Sequence, residues 1–306
     1  MKTLKSNKDG NGLLDRKTKG EKIVYSIFFV LFVIYAIALI YPIFYLAVNS
    51  FQDGFLYNDL KTGDLNPFAF PEKWEIMNYI ESFKMSATTA SGNTVFLPTM
   101  YLNSIWICGL TVGLSVFMCC VTGYVMSKYT FKARGFIYGV IIFTMTIPVV
   151  GTSGSMFKLC NDLNLYNTVF QVLLLHLGGL GFNFLVMYGF FTNISWSYAE
   201  AVFIDGGGDF TVFFKIMLPQ AKPCILTLCI VAFIGEWNNY MTPLLYLPDF
   251  PTVASGLYLI TKDAVRDNQV PRSFAALIIS VIPVIVVFAT FSDTIMKNFS
   301  VGGLKG

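Results

Sequence analysis

The side chains that could carry out chemistry are few in this sequence. There is one histidine, His176, and the carboxylates form no cluster with histidine or cysteine at the spacing of metal ligands. No G-x-x-x-x-G-K-[ST] loop, which would cradle nucleotide phosphates, occurs in the chain. We therefore expect no catalytic residue, no metal site and no bound cofactor, and we interpret the remaining polar motifs as recognition elements.

The most distinctive polar segment surrounds three consecutive glycines, 206–208. Glu200 lies in the first turn of a predicted short helix, where the positive end of the helix dipole stabilises a carboxylate. The glycines are predicted to end that helix, and Asp209 is predicted to cap the next one. A helix pair this short cannot cross a bilayer. It either lies in the membrane interface or docks in a groove of a partner protein.

A second polar stretch lies inside an apolar run and consists of Glu236, Trp237, Asn238, Asn239 and Tyr240. Aromatic faces can stack on sugar rings, and amides can hydrogen-bond to hydroxyl groups, so these residues are candidates for lining a sugar passage. Aromatic anchoring at the membrane interface and hydrogen bonds between helices would explain the same residues. Both interpretations stay open at this point.

Long apolar helices must position these motifs. Of the 306 residues, 55% are hydrophobic and 13% are charged, whereas soluble domains carry about 25% charged residues. Apolar runs of about 20 residues, long enough to cross the hydrocarbon core as helices, recur along the chain. We predict an all-α polytopic membrane protein with about six spans, at 23–48, 103–127, 136–155, 168–193, 222–245 and 273–296.

Basic residues are distributed unevenly between the two sides of the predicted membrane. With the N-terminus inside, the inner segments are 1–22, 128–135, 194–221 and 297–306, and the outer segments are 49–102, 156–167 and 246–272. The inner set contains 13 lysine and arginine residues in 68 positions, and the outer set contains 7 in 93. The positive-inside rule therefore predicts cytoplasmic tails at 1–22 and 297–306, a cytoplasmic loop at 198–219, and outer loops at 49–102 and 246–272.

The loop 198–219 resembles the EAA loop of binding-protein-dependent ABC importer permeases, whose pattern is approximately E-A-A-x-x-D-G-A followed by I-x-L-P. The matching residues are Glu200, Ala201, Asp205, Gly206, Ile216, Leu218 and Pro219. Val202 and Gly207 stand where alanine is usual. Further stretches similar to the family follow its order, at 49–51, 75–79, 101–104, 147–148, 163–168, 235–240 and 299–306. The resemblance covers nearly the whole chain and is closest to the G-type subunit of maltose transporters.

This resemblance implies a type I ABC importer fold in which residues 23–296 form the permease domain. The loop 198–219 would be the coupling helix, seated in an ATPase dimer that binds ATP and magnesium. A second permease and an extracellular or periplasmic solute-binding protein would complete the assembly in a bacterial plasma (inner) membrane. The implied substrate is an oligosaccharide, moved by alternating access. The formal net charge of +3 indicates no nucleic-acid partner.

Two other function classes are compatible with a helical membrane protein. An ion-coupled secondary transporter usually carries buried carboxylates or broken helices near the midplane, whereas ionisable residues are scarce in the predicted spans. Transport that persists without ATP would favour that class. A membrane-embedded enzyme would need a cluster of catalytic or metal-binding side chains, and turnover by the purified chain alone would favour it.

Overall fold

The computed structural model describes residues 19–57, 70–147, 151–264 and 267–302. Most of the predicted N-terminal tail and the last residues of the C-terminal tail lie outside them. The helices are, in chain order, α1 (Lys19–Asn49), α2 (Met77–Ser82), α3 (Leu97–Lys128), α4 (Arg134–Thr146), α5 (Thr152–Asp162), α6 (Val169–His176), α7 (Phe182–Asn193), α8 (Ser197–Ile204), α9 (Asp209–Trp237), α10 (Met241–Tyr246), α11 (Val253–Ala264) and α12 (Val270–Gly302). A single helical turn covers 54–57, and strands β1 (Ser86–Thr88) and β2 (Thr94–Phe96) pair antiparallel.

Four helices within the described ranges, α1, α3, α9 and α12, are long and apolar enough to cross a membrane. Their backbone hydrogen bonds close within each helix, which is the condition for a chain to stand in lipid. α1 lies against α12 at the edge of the bundle and exposes its apolar side chains. The predicted all-α polytopic membrane fold is thereby confirmed.

The predicted span 168–193 is not one helix. α6 ends at His176 and α7 begins at Phe182. Between them Gly179 has a φ of +53° and Gly181 a φ of +146°. Glycine adopts this region without the Cβ clash of other residues, so the backbone can leave the helix there. Apolar composition alone predicted a continuous span.

Two further predicted spans differ from the structure. Instead of one helix over 136–155, α4 ends at Thr146 and α5 begins at Thr152. Instead of 222–245, α9 runs from Asp209 to Trp237, and the chain leaves the helix before α10. We expect proline at 219 and 223 to stop a helix, but α9 continues through both. A π-helical segment, Val212–Met217, precedes them and includes residue 215, whose carbonyl the ring of Pro219 would meet in a regular α-helix, so its wider turn relieves the clash at Pro219.

α3 forms the centre of the bundle and packs against α7 and α9. In the most apolar stretch of α3, 39% of the residues are buried, whereas none are buried in the corresponding stretch of α1. One core cluster joins Tyr124 of α3 to Phe191 of α7 and Phe213 of α9. α3 and α7 are close together at Gly123, where an added Cβ would lie 2.9 Å from the Cβ of Met187. Absence of a side chain at this position therefore sets the distance between the two helices.

The end of the bundle opposite the loop 198–219 is held together by Asp249. Its carboxylate accepts hydrogen bonds from the backbone N–H of Ser91 at 3.0 Å, from the Ser91 hydroxyl, and from the side-chain amide of Asn167 at 2.6 Å. The bonds from Ser91 are the main reason that the pKa of Asp249 lies below its usual value. One carboxylate thus connects the β1–β2 turn, the segment before α6 and the segment after α10.

Replacing glycine with alanine inside a helix usually stabilises it. At Gly123 we expect the opposite effect, because α7 lies so close. Gly123→Ala should destabilise the chain by roughly 1–3 kcal/mol, because the new methyl group meets the α7 backbone. Gly113→Ala in the same helix is the matched control, since an added Cβ there meets nothing within 4 Å. Thermal unfolding in detergent measures both variants, and equal midpoints would contradict the predicted contact.

Candidate functional site

α8 ends in a hydrogen-bonded turn at the predicted glycines. Gly206 has a φ of +79°. Its N–H donates to the carbonyl oxygen of Phe203 at 3.1 Å, and the N–H of Gly207 donates to that of Val202 at 2.8 Å. This pair of bonds is the Schellman motif, which satisfies the last carbonyls of a helix and favours glycine at the left-handed position. The predicted glycine termination of the first helix is confirmed.

The two departures from the EAA pattern lie against each other. A Cβ built on Gly207 would stand 2.5 Å from Cγ1 of Val202 and 3.1 Å from its carbonyl oxygen. Val202 therefore occupies the space that a side chain at 207 would need. The larger residue at one position is matched by the absence of a side chain at the other.

The residues predicted for coupling fall into two groups. Glu200, Ala201, Asp205 and Gly206 are all exposed and surround the turn between α8 and α9. Ile216, Leu218 and Pro219 lie instead on the π-helical segment and the turn that follows, and the first two of them are half-buried. We call residues 197–217 the hairpin, and residues 204–210 its tip.

Two residues at the tip were not selected from the sequence. Ile204 is 85% exposed and Phe210 is 82% exposed, one on each side of Gly206. Helical periodicity in the sequence predicts one apolar face formed by Phe210, Phe213, Phe214 and Met217, but only Phe213 and Met217 are buried. Periodicity shows which apolar residues share one face of a helix. Which of those residues are buried depends on how far the neighbouring helices extend along that face.

The predicted helix cap at Asp209 is wrong by one residue. Gly208 has the extended backbone of the N-cap, and Asp209 is already the first helical residue. The Asp209 carboxylate instead accepts a hydrogen bond from the hydroxyl of Tyr129 at 2.6 Å. Tyr129 follows α3 and is distant in the sequence, so local sequence rules carried no signal for this contact.

The stretch 236–240 is divided between two environments. Glu236 faces His176, with 3.8 Å between the carboxylate and Nε2 of the imidazole, and Asn239 donates a hydrogen bond to the same carboxylate at 3.2 Å. This pair borders a small cavity of about 10 Å³, about the size of one water molecule, that is also lined by Gln171. The Nε2 group of Gln171 is buried without a hydrogen-bond partner in the part of the chain that the structure describes.

The other residues of this stretch border an open groove beside α11. The rings of Tyr240 and Tyr258 stack at 5.2 Å with an interplanar angle of 22°. Asn238 is exposed in the same groove. Trp237 also lines this groove but is buried, and its Nε1–H donates to the carbonyl oxygen of Ser280 at 3.0 Å, which joins α9 to α12.

Comparison with known proteins identifies relatives along most of the chain. Residues 119–300 match the family described as the binding-protein-dependent transport system inner membrane component. The diacetylchitobiose uptake system permease protein of Streptomyces coelicolor is 26% identical, over 90% of this chain and 87% of its own length. The galactooligosaccharides transport system permease protein of Bacillus subtilis is 27% identical over 89% and 92%. The maltodextrin transport system permease protein of Streptococcus pneumoniae is 26% identical over the same shares.

A solved structure has the same fold. A bacterial ABC transporter involved in the import of the acidic polysaccharide alginate matches with a TM-score of 0.71 and 23% identity, over 91% of this chain and 98% of that chain. The region matched by the family includes the whole hairpin and more than half of the sequence. The chain therefore belongs to the binding-protein-dependent transport system inner membrane component family, as an ABC importer permease that relies on a separate subunit for ATP hydrolysis.

Proposed function

We propose that this chain forms half of the membrane pathway of an oligosaccharide importer, in a heterodimer with a second permease. Three relatives that align with about nine-tenths of the chain are named for diacetylchitobiose, galactooligosaccharides and maltodextrin, which supports this substrate class. A solute-binding protein would deliver the sugar on the side of Asp249. Both termini would lie in the cytoplasm of a bacterial cell, as the distribution of basic residues predicts.

The exposed tip of the hairpin is the observation on which this proposal rests. Ile204 and Phe210 present large apolar surfaces that no other described part of the chain covers, a feature typical of a protein interface. Membrane-surface binding would be the alternative, but three of the four exposed charged groups of the hairpin, Glu200, Asp205 and Asp209, are acidic, and only Lys215 is basic. Anionic lipid headgroups repel carboxylates. We therefore assign the tip to a groove on the ATPase subunit.

Movement of the tip would reach the sugar passage through α9. This helix is continuous from Asp209 to Trp237, a length of about 43 Å at 1.5 Å per residue. One end is the tip, and the other carries the polar stretch 236–240. ATPase closure would thus displace a single rod, and the cavity at its far end would open alternately to the two sides of the membrane. Among the candidate passage residues, Asn238 and Tyr240 are exposed to the groove, Glu236 lines the cavity beside His176, and Asn239 donates a hydrogen bond to Glu236.

The first experiment is reconstitution of the full importer, comprising this chain, the second permease, the ATPase and the binding protein, in liposomes. Uptake of radiolabelled maltotriose, galactotriose and diacetylchitobiose is measured with ATP, and with an imposed ion gradient but no ATP. We expect uptake of at least one of these sugars only with ATP. Uptake that follows the ion gradient in the absence of ATP would contradict the proposal and favour a secondary transporter.

Cysteine cross-linking tests docking of the tip. Ile204→Cys and Phe210→Cys should each cross-link to the ATPase subunit with a short bismaleimide, because both side chains point away from the bundle. Phe55→Cys is the matched control, since Phe55 is 71% exposed but belongs to the loop 49–102 that is predicted to lie outside. Mass spectrometry identifies the linked peptides. Equal linkage from all three positions, or none from the tip, would argue against docking.

The contact between Val202 and Gly207 predicts a rescue. Gly207→Ala should lower sugar uptake per ATP hydrolysed, because its methyl group would displace Val202 and tilt the tip. Adding Val202→Ala to the same chain should restore most of the sugar uptake per ATP hydrolysed. We expect a loss of at least about threefold in the single variant, since overpacking typically costs 1–3 kcal/mol. A double variant no better than Gly207→Ala would contradict this account of the tip.

The stacking of Tyr240 on Tyr258 predicts that the aromatic ring of Tyr240, and not its hydroxyl group, contributes to sugar uptake. Tyr240→Ala should reduce the initial rate of uptake about 2- to 10-fold, the range that corresponds to an aromatic contact of about 0.5–1.5 kcal/mol. Tyr240→Phe keeps the ring and should stay close to the unmodified protein. Rates are compared at equal amounts of assembled complex in liposomes. Normal uptake by Tyr240→Ala would remove this residue from the proposed passage.

A further inference from the structure

The end of α3 contacts both sides of the hairpin, although it is distant from it in the sequence. Nζ of Lys128 donates a hydrogen bond to the carbonyl oxygen of Ile194, just before α8. The hydroxyl of Tyr129 donates to Oδ1 of Asp209 at 2.6 Å, at the first residue of α9. The end of α3 is therefore held between the chain that enters the hairpin and the helix that leaves it.

Aromatic packing surrounds these polar contacts. The ring of Tyr124 lies 4.9 Å from that of Phe213, and the ring of Tyr129 lies 6.0 Å from that of Trp196. Phe213 belongs to the π-helical segment of α9 and is buried. Such ring contacts resist separation of the helices, but they tolerate sliding and rotation because they impose little directional constraint.

Two contacts of this group are strongly directional, the bond from Lys128 to Ile194 and the bond from Tyr129 to Asp209, and only the second connects α3 to α9. An O–H donor 2.6 Å from a carboxylate is in the range of charge-assisted hydrogen bonds, which are about twice as strong as neutral ones. Burial and this hydrogen bond raise the pKa of Tyr129, so the phenol stays protonated and continues to donate. The Tyr124 hydroxyl, 3.3 Å from that of Tyr129, extends the chain of polar groups into the core.

α3 needs such a contact because it has no direct covalent link to the hairpin, since four helices lie between them in the chain. α9 is continuous with the hairpin, and α7 reaches it through the short connection 194–196. α3, the most buried spanning helix that the structure describes, can follow a displacement of the hairpin only through noncovalent contacts. If the start of α9 slid past α3, movement of the ATPase would be lost at this point.

We propose that Tyr129 and Asp209 are positioning residues that transmit displacement of the hairpin to α3, so that α3 and α9 move together during the transport cycle. This inference rests on the proposed function, because it presumes that an ATPase moves the tip. It adds a second route of transmission, through a side-chain contact, to the covalent route along α9. A purely stabilising role for the same bond would affect the amount of folded complex and leave the coupling ratio unchanged.

The test compares Tyr129→Phe, Asp209→Ala, their double variant and Asp209→Asn in the complete reconstituted importer. Tyr188→Phe is the matched control, because it removes another interhelical hydroxyl contact, the one that accepts a hydrogen bond from Arg134 at 3.3 Å. Three quantities are measured at equal amounts of assembled complex: sugar uptake with the panel of three oligosaccharides, ATP hydrolysis, and cross-linking of Ile204→Cys to the ATPase.

We expect Tyr129→Phe and Asp209→Ala to lower uptake per ATP by at least about fivefold, as loss of a hydrogen bond to a charged group can do. ATP hydrolysis and cross-linking of the tip should persist in Tyr129→Phe, because Tyr129 lies outside the tip that is assigned to the ATPase. The double variant should be no worse than either single variant, because both remove one interaction. Asp209→Asn keeps an oxygen that can accept the Tyr129 hydrogen bond, and it should retain most of the ratio, as should Tyr188→Phe.

An unchanged uptake per ATP in Tyr129→Phe would overturn the inference, whatever the yield of assembled complex. Additive losses in the double variant would overturn it also, since the two residues would then act separately. Failure of Ile204→Cys to cross-link to the ATPase when Tyr129 and Asp209 are both present would be a different result. That outcome would remove the proposed function itself, and the inference with it.

Discussion

Backbone hydrogen bonding in a medium without water is the constraint on which this structure depends. Inside a bilayer each peptide group needs a partner within the protein, so the chain is helical wherever it crosses. A helix can be interrupted there only if neighbouring groups take over the freed backbone atoms. The hydroxyl of Thr122 in α3 does so at the break before α7, where it is shared between the Met118 carbonyl of its own helix and that of Gly179, 3.1 Å away.

The break that this contact permits gives the membrane region its polar interior. Because α6 ends at His176, its imidazole can approach Glu236 at the end of α9, and each ionisable group has the other as a partner. Broken helices and intramembrane charges also occur in ion-coupled transporters. Scarcity of charged residues in the sequence therefore discriminates less well between the two transport classes than the hairpin and the family match do.

At the other end of α9, the hairpin combines a rigid turn with an exposed apolar tip. The Schellman bonds fix the angle between α8 and α9, and the Val202–Gly207 contact fills the interior of the turn. Rigidity matters here because a flexible element would absorb displacement and fail to pass it on. The π-helical segment that follows is the one departure from α-helical geometry along α9, and it places Phe213 against Tyr124 of α3.

The sequence by itself determined the helical membrane class, the position of the hairpin and its glycine turn, because these depend on apolar length and on the conformational freedom of residues such as Gly206. It did not determine where the apolar runs break, since a run of apolar residues is equally compatible with one helix or two. It also did not pair Tyr129 with Asp209, or His176 with Glu236. Those contacts join residues 80 and 60 positions apart, so only the packing of helices around α3 decides which polar groups meet.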